Sequence, residues 1–193
     1  MQRIIVFLGP SLEQTAAEEI LCADYRPPAK RGDLLAAVNT GATIIGLIDG
    51  VFHQESAVAH REILAAVKKG VVVVGASSMG ALRAAEMDTL GMVGIGKIYH
   101  MYKSGELESD DEVALVFDPS SGLALSEPLI NIRFTLNRSV EEKIIDAAAC
   151  DALLSSARSL FYPKRTYRAI VSGAGDALDE KTRDRFLNWA VTR

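Results

Sequence analysis

The chain has 193 residues, of which 49% are hydrophobic and 24% charged, with a formal net charge of -4 at pH 7. That composition describes an ordinary folded globule and argues against disorder. The mild acidity gives no electrostatic reason to expect nucleic acid or an anionic membrane as partner, and no apolar run reaches membrane-spanning length. The N-terminal Met1-Gln-Arg-Ile-Ile-Val-Phe-Leu-Gly9 is too short for a signal h-region and reads as a first strand, so a cytoplasmic location is expected. Two widely separated cysteines, Cys22 and Cys150, read as reduced thiols in apolar surroundings rather than a disulfide or a metal site.

Ile4 to Leu8 is a continuous apolar strand, and the following Gly9-Pro10-Ser11 places Ser11 as the N-cap of a helix running through Cys22. Tyr25 to Asp33 reads as a loop held extended by two prolines, with Asp33 capping a short helix through Val38. Thr43 to Ile48 is a second buried strand ending at Asp49-Gly50-Val51-Phe52. Ser56 is expected to open a helix with Val58, Ile63, Leu64 and Val67 on its apolar face.

Val71-Val-Val-Val-Gly75 is a strand apolar on both faces, and Ala76-Ser-Ser-Met-Gly80 turns it straight into an alanine-rich helix. The order Ala76-x-Ser78-x-Gly80 has the form of a nucleophile elbow. In that turn a serine oxygen stands above a sheet beside the free N–H groups of a helix, and small neighbours let strand and helix cross closely. The helix N-terminus supplies positive potential where an oxyanion would form. A plainer role exists for the same residues, because Ser77 or Ser78 can simply cap the helix.

Beyond residue 90 the pattern changes. Gly91, Gly94 and Gly96 read as turn glycines, since they lack both Walker and Rossmann spacing. A short helix follows from Lys97 to Tyr102. Asp110-Asp-Glu112 reads as a solvated acidic edge or a partner contact rather than a metal site, and Val113 to Phe117 as a further strand. Pro119-Ser-Ser-Gly122 is the linker signal. Pro128 to Leu136, Val140 to Leu160, Lys164 to Val171 and Asp179 to Val191 all have helical period, with Phe186 and Trp189 pinning the last helix to the core.

Strands alternating with helices define an α/β protein: a mostly parallel, three-layer sheet core over residues 1–120 and a helical C-terminal region over 121–193. Ligands bind beyond the C-terminal strand ends of such sheets. Gly9 to Ser11, Asp49 to Phe52 and Gly75 to Ser78 should therefore converge on one cleft. Ser11, Asp49, His60 and Arg83 are its expected substrate-binding residues, although Arg83 and Glu86, three apart on one helix, can merely pair with each other. The three histidines, His53, His60 and His100, have no metal-ligand spacing, and neither a metal nor an organic cofactor is expected. Ser78 is the candidate nucleophile. A buried lysine can lose enough basicity to take a serine proton, and Lys30 or Lys97 lies nearest the motifs.

Six motifs in order carry a family resemblance: Tyr25-Arg-Pro-Pro-x-x-x-Gly-Asp33, Ile48-Asp-Gly-Val-Phe52, Ala57-Val-Ala-His-Arg-Glu-Ile-Leu64, Gly75-Ala-Ser-Ser-Met-Gly-Ala-Leu-Arg-Ala-Ala-Glu86, Gly91-Met-Val-Gly-Ile-Gly96 and Asp110-Asp-Glu-Val113. From about residue 3 to Leu136 the chain resembles the TfuA family. The resemblance implies a partner of a YcaO enzyme in peptide backbone thioamidation, where an amide oxygen becomes sulfur. YcaO activates the amide of a peptide or protein substrate with ATP. The TfuA-like protein releases sulfide from a thiocarboxylated ubiquitin-like sulfur-carrier protein and assists substrate binding. A hydrolase-like Ser-Lys pair is associated with the family, which places Ser78 as nucleophile and Lys30 or Lys97 as base. A non-catalytic adaptor that docks carrier and peptide onto YcaO is the alternative expectation.

Overall fold

Short runs of branched apolar residues make the strands, and what flanks each run decides where it stops. The computed structural model describes residues 2–51, 56–118 and 120–190. The expectations for Phe52, His53, Pro119 and Val191 fall outside these residues. The chain folds as two compact units, Met1–Asp110 and Asp111–Arg193.

The first unit holds a five-stranded sheet in the order β2-β1-β3-β4-β5, with every neighbouring pair parallel. Its strands are β1 (Ile4–Phe7), β2 (Asp24–Arg26), β3 (Ile44–Leu47), β4 (Val72–Gly75) and β5 (Val93–Gly94). The helices are α1 (Gln14–Ile20), α2 (Asp33–Asn39), α3 (His60–Lys68), α4 (Met79–Met87) and α5 (Lys97–Ser104). One face of the sheet presents Ile5, Phe7, Ile45, Leu47 and Val73, packed with Leu34 and Ala37 of α2, Ile63 and Ala66 of α3, and Ala84 and Met87 of α4. The other presents Val6 and Leu8, packed with Ala17 of α1. Each fully buried Ile, Leu or Phe side chain contributes roughly 1.5–3 kcal/mol of transfer free energy, so this two-sided burial is what holds the three layers together.

Several local expectations are corrected. Ser11 does not cap α1, which begins three residues later behind Glu13; the Ser11 hydroxyl is committed elsewhere. Helix α3 opens at His60 behind Ala59, not at Ser56, because Glu62 reaches back to accept from the Ala59 N–H at 3.3 Å. Asp33 is the first residue of α2 behind Gly32, and its carboxylate accepts from the Lys30 N–H at 2.9 Å. Two short strands were not legible. Asp24–Arg26 is a polar edge strand inside what reads as a loop, and Val93–Gly94 hides within the glycine run. Gly94 is a packing glycine, since a Cβ there would lie 2.2 Å from the Tyr99 ring.

The second unit is helical: α6 (Leu129–Glu141), α7 (Ala147–Ser159), α8 (Tyr167–Gly173) and α9 (Glu180–Ala190). Leu129, Ile132, Leu136, Leu153, Ala157, Ile170 and Phe186 form its core. The stretch from Val140 to Leu160 is not one helix. Lys143 takes a left-handed φ of 58° after α6 ends, and Asp146 then caps α7 by accepting from the Ala149 N–H at 2.8 Å. Val113 to Phe117 forms no strand of the sheet; Phe117 makes an isolated antiparallel bridge to Ala124. The acidic run is solvated only in part: Asp110 is exposed, whereas its two neighbours pair with arginines. Glu112 is 5% exposed and takes both nitrogens of an Arg133 fork, at 2.8 and 2.6 Å. Asp111 pairs with Arg165, which is 1% exposed.

Candidate functional site: a serine turn at the switch point of the sheet

The sheet order reverses direction between β1 and β3, and in open α/β sheets the crevice beyond the strand ends at such a point is where ligands bind. Asp49, two residues past β3, fills that crevice. The residue is 3% exposed. Oδ2 accepts from the backbone N–H of Gly9 at 2.9 Å and of Ser11 at 3.1 Å, and Oδ1 accepts from the Ser11 hydroxyl at 2.7 Å. Desolvation pushes the Asp49 carboxyl above the usual aspartate range, only partly offset by these three donors.

The serine turn is pinned to the same edge by backbone bonds. Ala76 N–H donates to Leu47 O at 3.1 Å, Gly80 N–H to Ile48 O at 3.1 Å, and Ile95 N–H to Gly75 O at 2.9 Å. Two glycines permit this closeness. A Cβ on Gly75 would lie 2.2 Å from the Gly80 carbonyl oxygen, and one on Gly80 would lie 1.8 Å from the Leu47 carbonyl oxygen. Helix α4 therefore sits directly against the strand ends.

Between those glycines Ser77 holds a φ of 60°, a conformation costly for a residue with a Cβ. The Ser77 hydroxyl donates to the Ser11 hydroxyl at 3.1 Å. Ser78 is the residue before the first turn of α4, with φ -62° and ψ -115°, and its side chain makes no capping bond. Both serines are half-buried. The structure thus gathers Ser11, Asp49 and the serine turn. It also shows that the strained position is Ser77, one residue before Ser78. Sequence reading matched the small residues Ala76 and Gly80 around Ser78. The signal for Ser77 was Gly75, two residues before it and forced by the packing of α4.

Other expected site residues stand around this centre. The segment carrying Lys30 bridges to the end of β3: Ala29 N–H donates to Asp49 O and Val51 N–H to Ala29 O, both at 2.9 Å. Lys30 itself is exposed. Buried Glu62 ties that segment to α3 by accepting from the Gly32 N–H at 2.7 Å, a role no sequence motif announced. Lys97 is the exposed first residue of α5, behind Gly96 at φ 92°. Both lysines follow strand C-terminal ends, as the serine turn does. His60 and Arg83 form a separate cluster. His60 Nε2 lies 2.8 Å from Glu86 Oε2, Arg83 Nη1 lies 2.5 Å from the same oxygen, and Arg83 Nε donates to Val58 O at 3.2 Å. Glu86 is therefore the carboxylate partner of His60. Among the described residues, no three His, Cys, Asp or Glu side chains are placed to hold a metal ion. No helix among them is long and apolar enough to cross a membrane. Cys22 is exposed and Cys150 half-buried, and neither forms a disulfide.

The first unit is thus a doubly wound α/β unit with a strained serine between strand and helix, beside a buried aspartate. The family model described as TfuA-like protein matches residues 49–166, and the chain belongs to that family. Asp49, His60, Ser77, Ser78, Arg83 and Lys97 fall inside the match, while Ser11 and Lys30 precede it. No curated protein matches the chain.

Proposed function

We propose that this chain is an accessory hydrolase of YcaO-dependent peptide backbone thioamidation, releasing sulfide from a thiocarboxylated ubiquitin-like carrier protein and assisting YcaO in holding its substrate. The observation that carries the reading is a serine turn, strained and pinned beside buried Asp49, in a chain of the TfuA-like family.

The chemistry suits those parts. A thiocarboxylate is an acyl group, so a serine oxygen can attack its carbonyl carbon and form a tetrahedral intermediate. Collapse breaks the C–S bond and expels hydrosulfide, a good leaving group, and water then hydrolyses the acyl-serine to a carboxylate. The attack demands donors for the developing oxyanion. The Met79 and Ala81 amides at the start of α4 would supply them, the Gly80 N–H being held by Ile48 O, and each such donor is worth about 3–4 kcal/mol in the transition state. Ser78 is the sequence-matched nucleophile, with Lys30 or Lys97 as its base, and the carrier's flexible C-terminus would enter over the strand ends. No metal or organic cofactor is needed for this reaction.

The test is to mix the purified protein with thiocarboxylated carrier, without YcaO or ATP, and measure sulfide. Release well above the spontaneous rate, lost in the double variant Ser77→Ala/Ser78→Ala, supports hydrolysis. Release at the spontaneous rate, with YcaO binding retained, leaves the chain an adaptor that docks carrier and peptide.

A further inference from the structure

We propose that the uncovered half of the sheet in the first unit takes up an amphipathic helix of a partner protein, one with lysine or arginine on its polar flank. The inference is independent of the hydrolytic reading above.

An all-parallel sheet needs cover on both faces, because both are apolar. Right-handed crossovers share that cover unequally here. The step from β1 to β2 runs one way along the sheet, and the steps from β2 to β3, β3 to β4 and β4 to β5 run the other. Helix α1 therefore lies on one face and α2, α3 and α4 on the opposite one. Helix α5 could balance them, but it joins the crowded face and packs against α4. Gly94 is paired with Gly75 and points the same way, toward α4; a Cβ there would meet the Tyr99 ring, and Tyr99 packs with the core of that face.

The register shows what is left open. Val6, Gly46, Val74 and Val93 are paired across the sheet and so share a face, as do Ile4, Ile44 and Val72 one row away. Over β1 that face is closed, with Val6 and Leu8 buried against Ala17 of α1. Over β4 and β5 it is open. Val72 is 47%, Val93 45% and Ile95 53% exposed, with Ile44 and Val74 half-buried beside them. Among the described residues of the first unit, no helix lies across them.

Size and charge choose the occupant. Two strand spacings separate β3 from β5, about 10 Å, which is the diameter of one helix. Three strands of this length present on the order of 200 Å². A stable homodimer needs about 800 Å² from each copy, so the patch is too small to hold a second copy of the chain. Helix α1, the neighbour on that face, carries Glu13 at its start and Glu18 and Glu19 within it, all exposed, and it has no lysine or arginine. A helix lying beside it gains from basic residues on the flank toward α1 and from an apolar stripe toward β4 and β5.

The probes are two helical peptides of about 18 residues, each with one leucine stripe, flanked by lysine in one and by glutamate in the other. Each is titrated into the full chain carrying isotope-labelled Ile and Val methyl groups. The lysine peptide should shift the methyl signals of Val72, Val93 and Ile95 and leave Ile63, buried against the opposite face, unmoved. The glutamate peptide should bind about 10-fold more weakly at low salt. The variant Val72→Thr/Val93→Thr/Ile95→Thr keeps strand propensity at exposed positions, and should weaken the lysine peptide about 10-fold with its melting curve unchanged. Glu13→Gln/Glu18→Gln/Glu19→Gln should weaken it roughly 3–10-fold and flatten its salt dependence. Shifts that map to another surface, equal affinity for the two peptides, or binding unchanged in the threonine variant each overturn the proposal. A wild-type dimer in sedimentation that the threonine variant dissolves overturns it too, since a second copy then covers the face. Every readout is binding, so failure of the hydrolytic reading leaves this test standing.

Discussion

Replacing Gly80 with alanine sets two physical effects against each other at one atom. In an exposed helix interior the change would stabilise, because alanine gains about 1 kcal/mol over glycine in helix propensity. Gly80, however, is buried in the first turn of α4, and the added carbon would lie 1.8 Å from the Leu47 carbonyl oxygen and 2.6 Å from its carbon. Ordinary contact needs well over 3 Å, and both partners are backbone, so no side chain can swing aside. Helix α4 must withdraw from β3 by more than an ångström, which also stretches the Gly80 N–H to Ile48 O bond of 3.1 Å. Overpacking of this kind costs about 3 kcal/mol at the upper end of its usual range, leaving a net loss of ~2 kcal/mol. A chain of 193 residues should then melt roughly 4–8 °C lower in a calorimetric scan. Because the same shift displaces the serine turn, sulfide release from the thiocarboxylated carrier should slow as well. A Gly80→Ala protein that melts at or above the wild-type temperature would refute the close crossing of strand and helix on which the serine turn depends.

Other outcomes follow from individual contacts. Arg165→Met should destabilise the helical unit by about 2–3 kcal/mol: the buried guanidinium donates to Ala157 O and Leu160 O at the end of α7 and to Asp111 O, at 3.1, 3.2 and 3.0 Å. The figure stays below the range for a fully buried pair because Asp111, at 41% side-chain exposure, can recover water, and urea unfolding reads it. Asp49 makes stability depend on pH with a sign opposite to most aspartates. Its folded pKa is raised, so the folded state binds the proton more tightly, and the contribution is fully present below the unfolded value and lost as pH rises through the folded value. The stability of wild type minus that of Asp49→Asn should therefore fall with rising pH across that window; a difference that rises there would contradict the burial argument.

What was legible in the sequence follows from which forces are local. Branched apolar runs such as Ile4 to Phe7 and Val72 to Val74 declare buried parallel strands by themselves, because two-sided burial leaves no room for polar alternation. The strand ends could be brought together in advance for the same reason, and Ser11, Asp49 and the serine turn do meet. Asp24–Arg26 and Val93–Gly94 were missed because edge strands carry only the backbone pairing of a neighbour and little apolar patterning of their own. The identity of the strained serine was equally hidden. Choosing Ser77 over Ser78 depends on where α4 lands against Leu47, a long-range packing event that a one-residue shift of the motif cannot resolve. The acidic run Asp110 to Glu112 looked solvated because its arginine partners, Arg133 and Arg165, lie far along the chain.

Intact mass spectrometry of a mixture of protein and thiocarboxylated carrier, acid-quenched before steady state, addresses the covalent step itself. The expected species is an ester of one carrier on one copy of this chain, formed as sulfide appears and absent from the double variant Ser77→Ala/Ser78→Ala. A double variant that still forms the same ester and releases sulfide at the wild-type rate, or sulfide release by the wild-type protein with no ester at any quench time, would contradict attack by a hydroxyl of the serine turn.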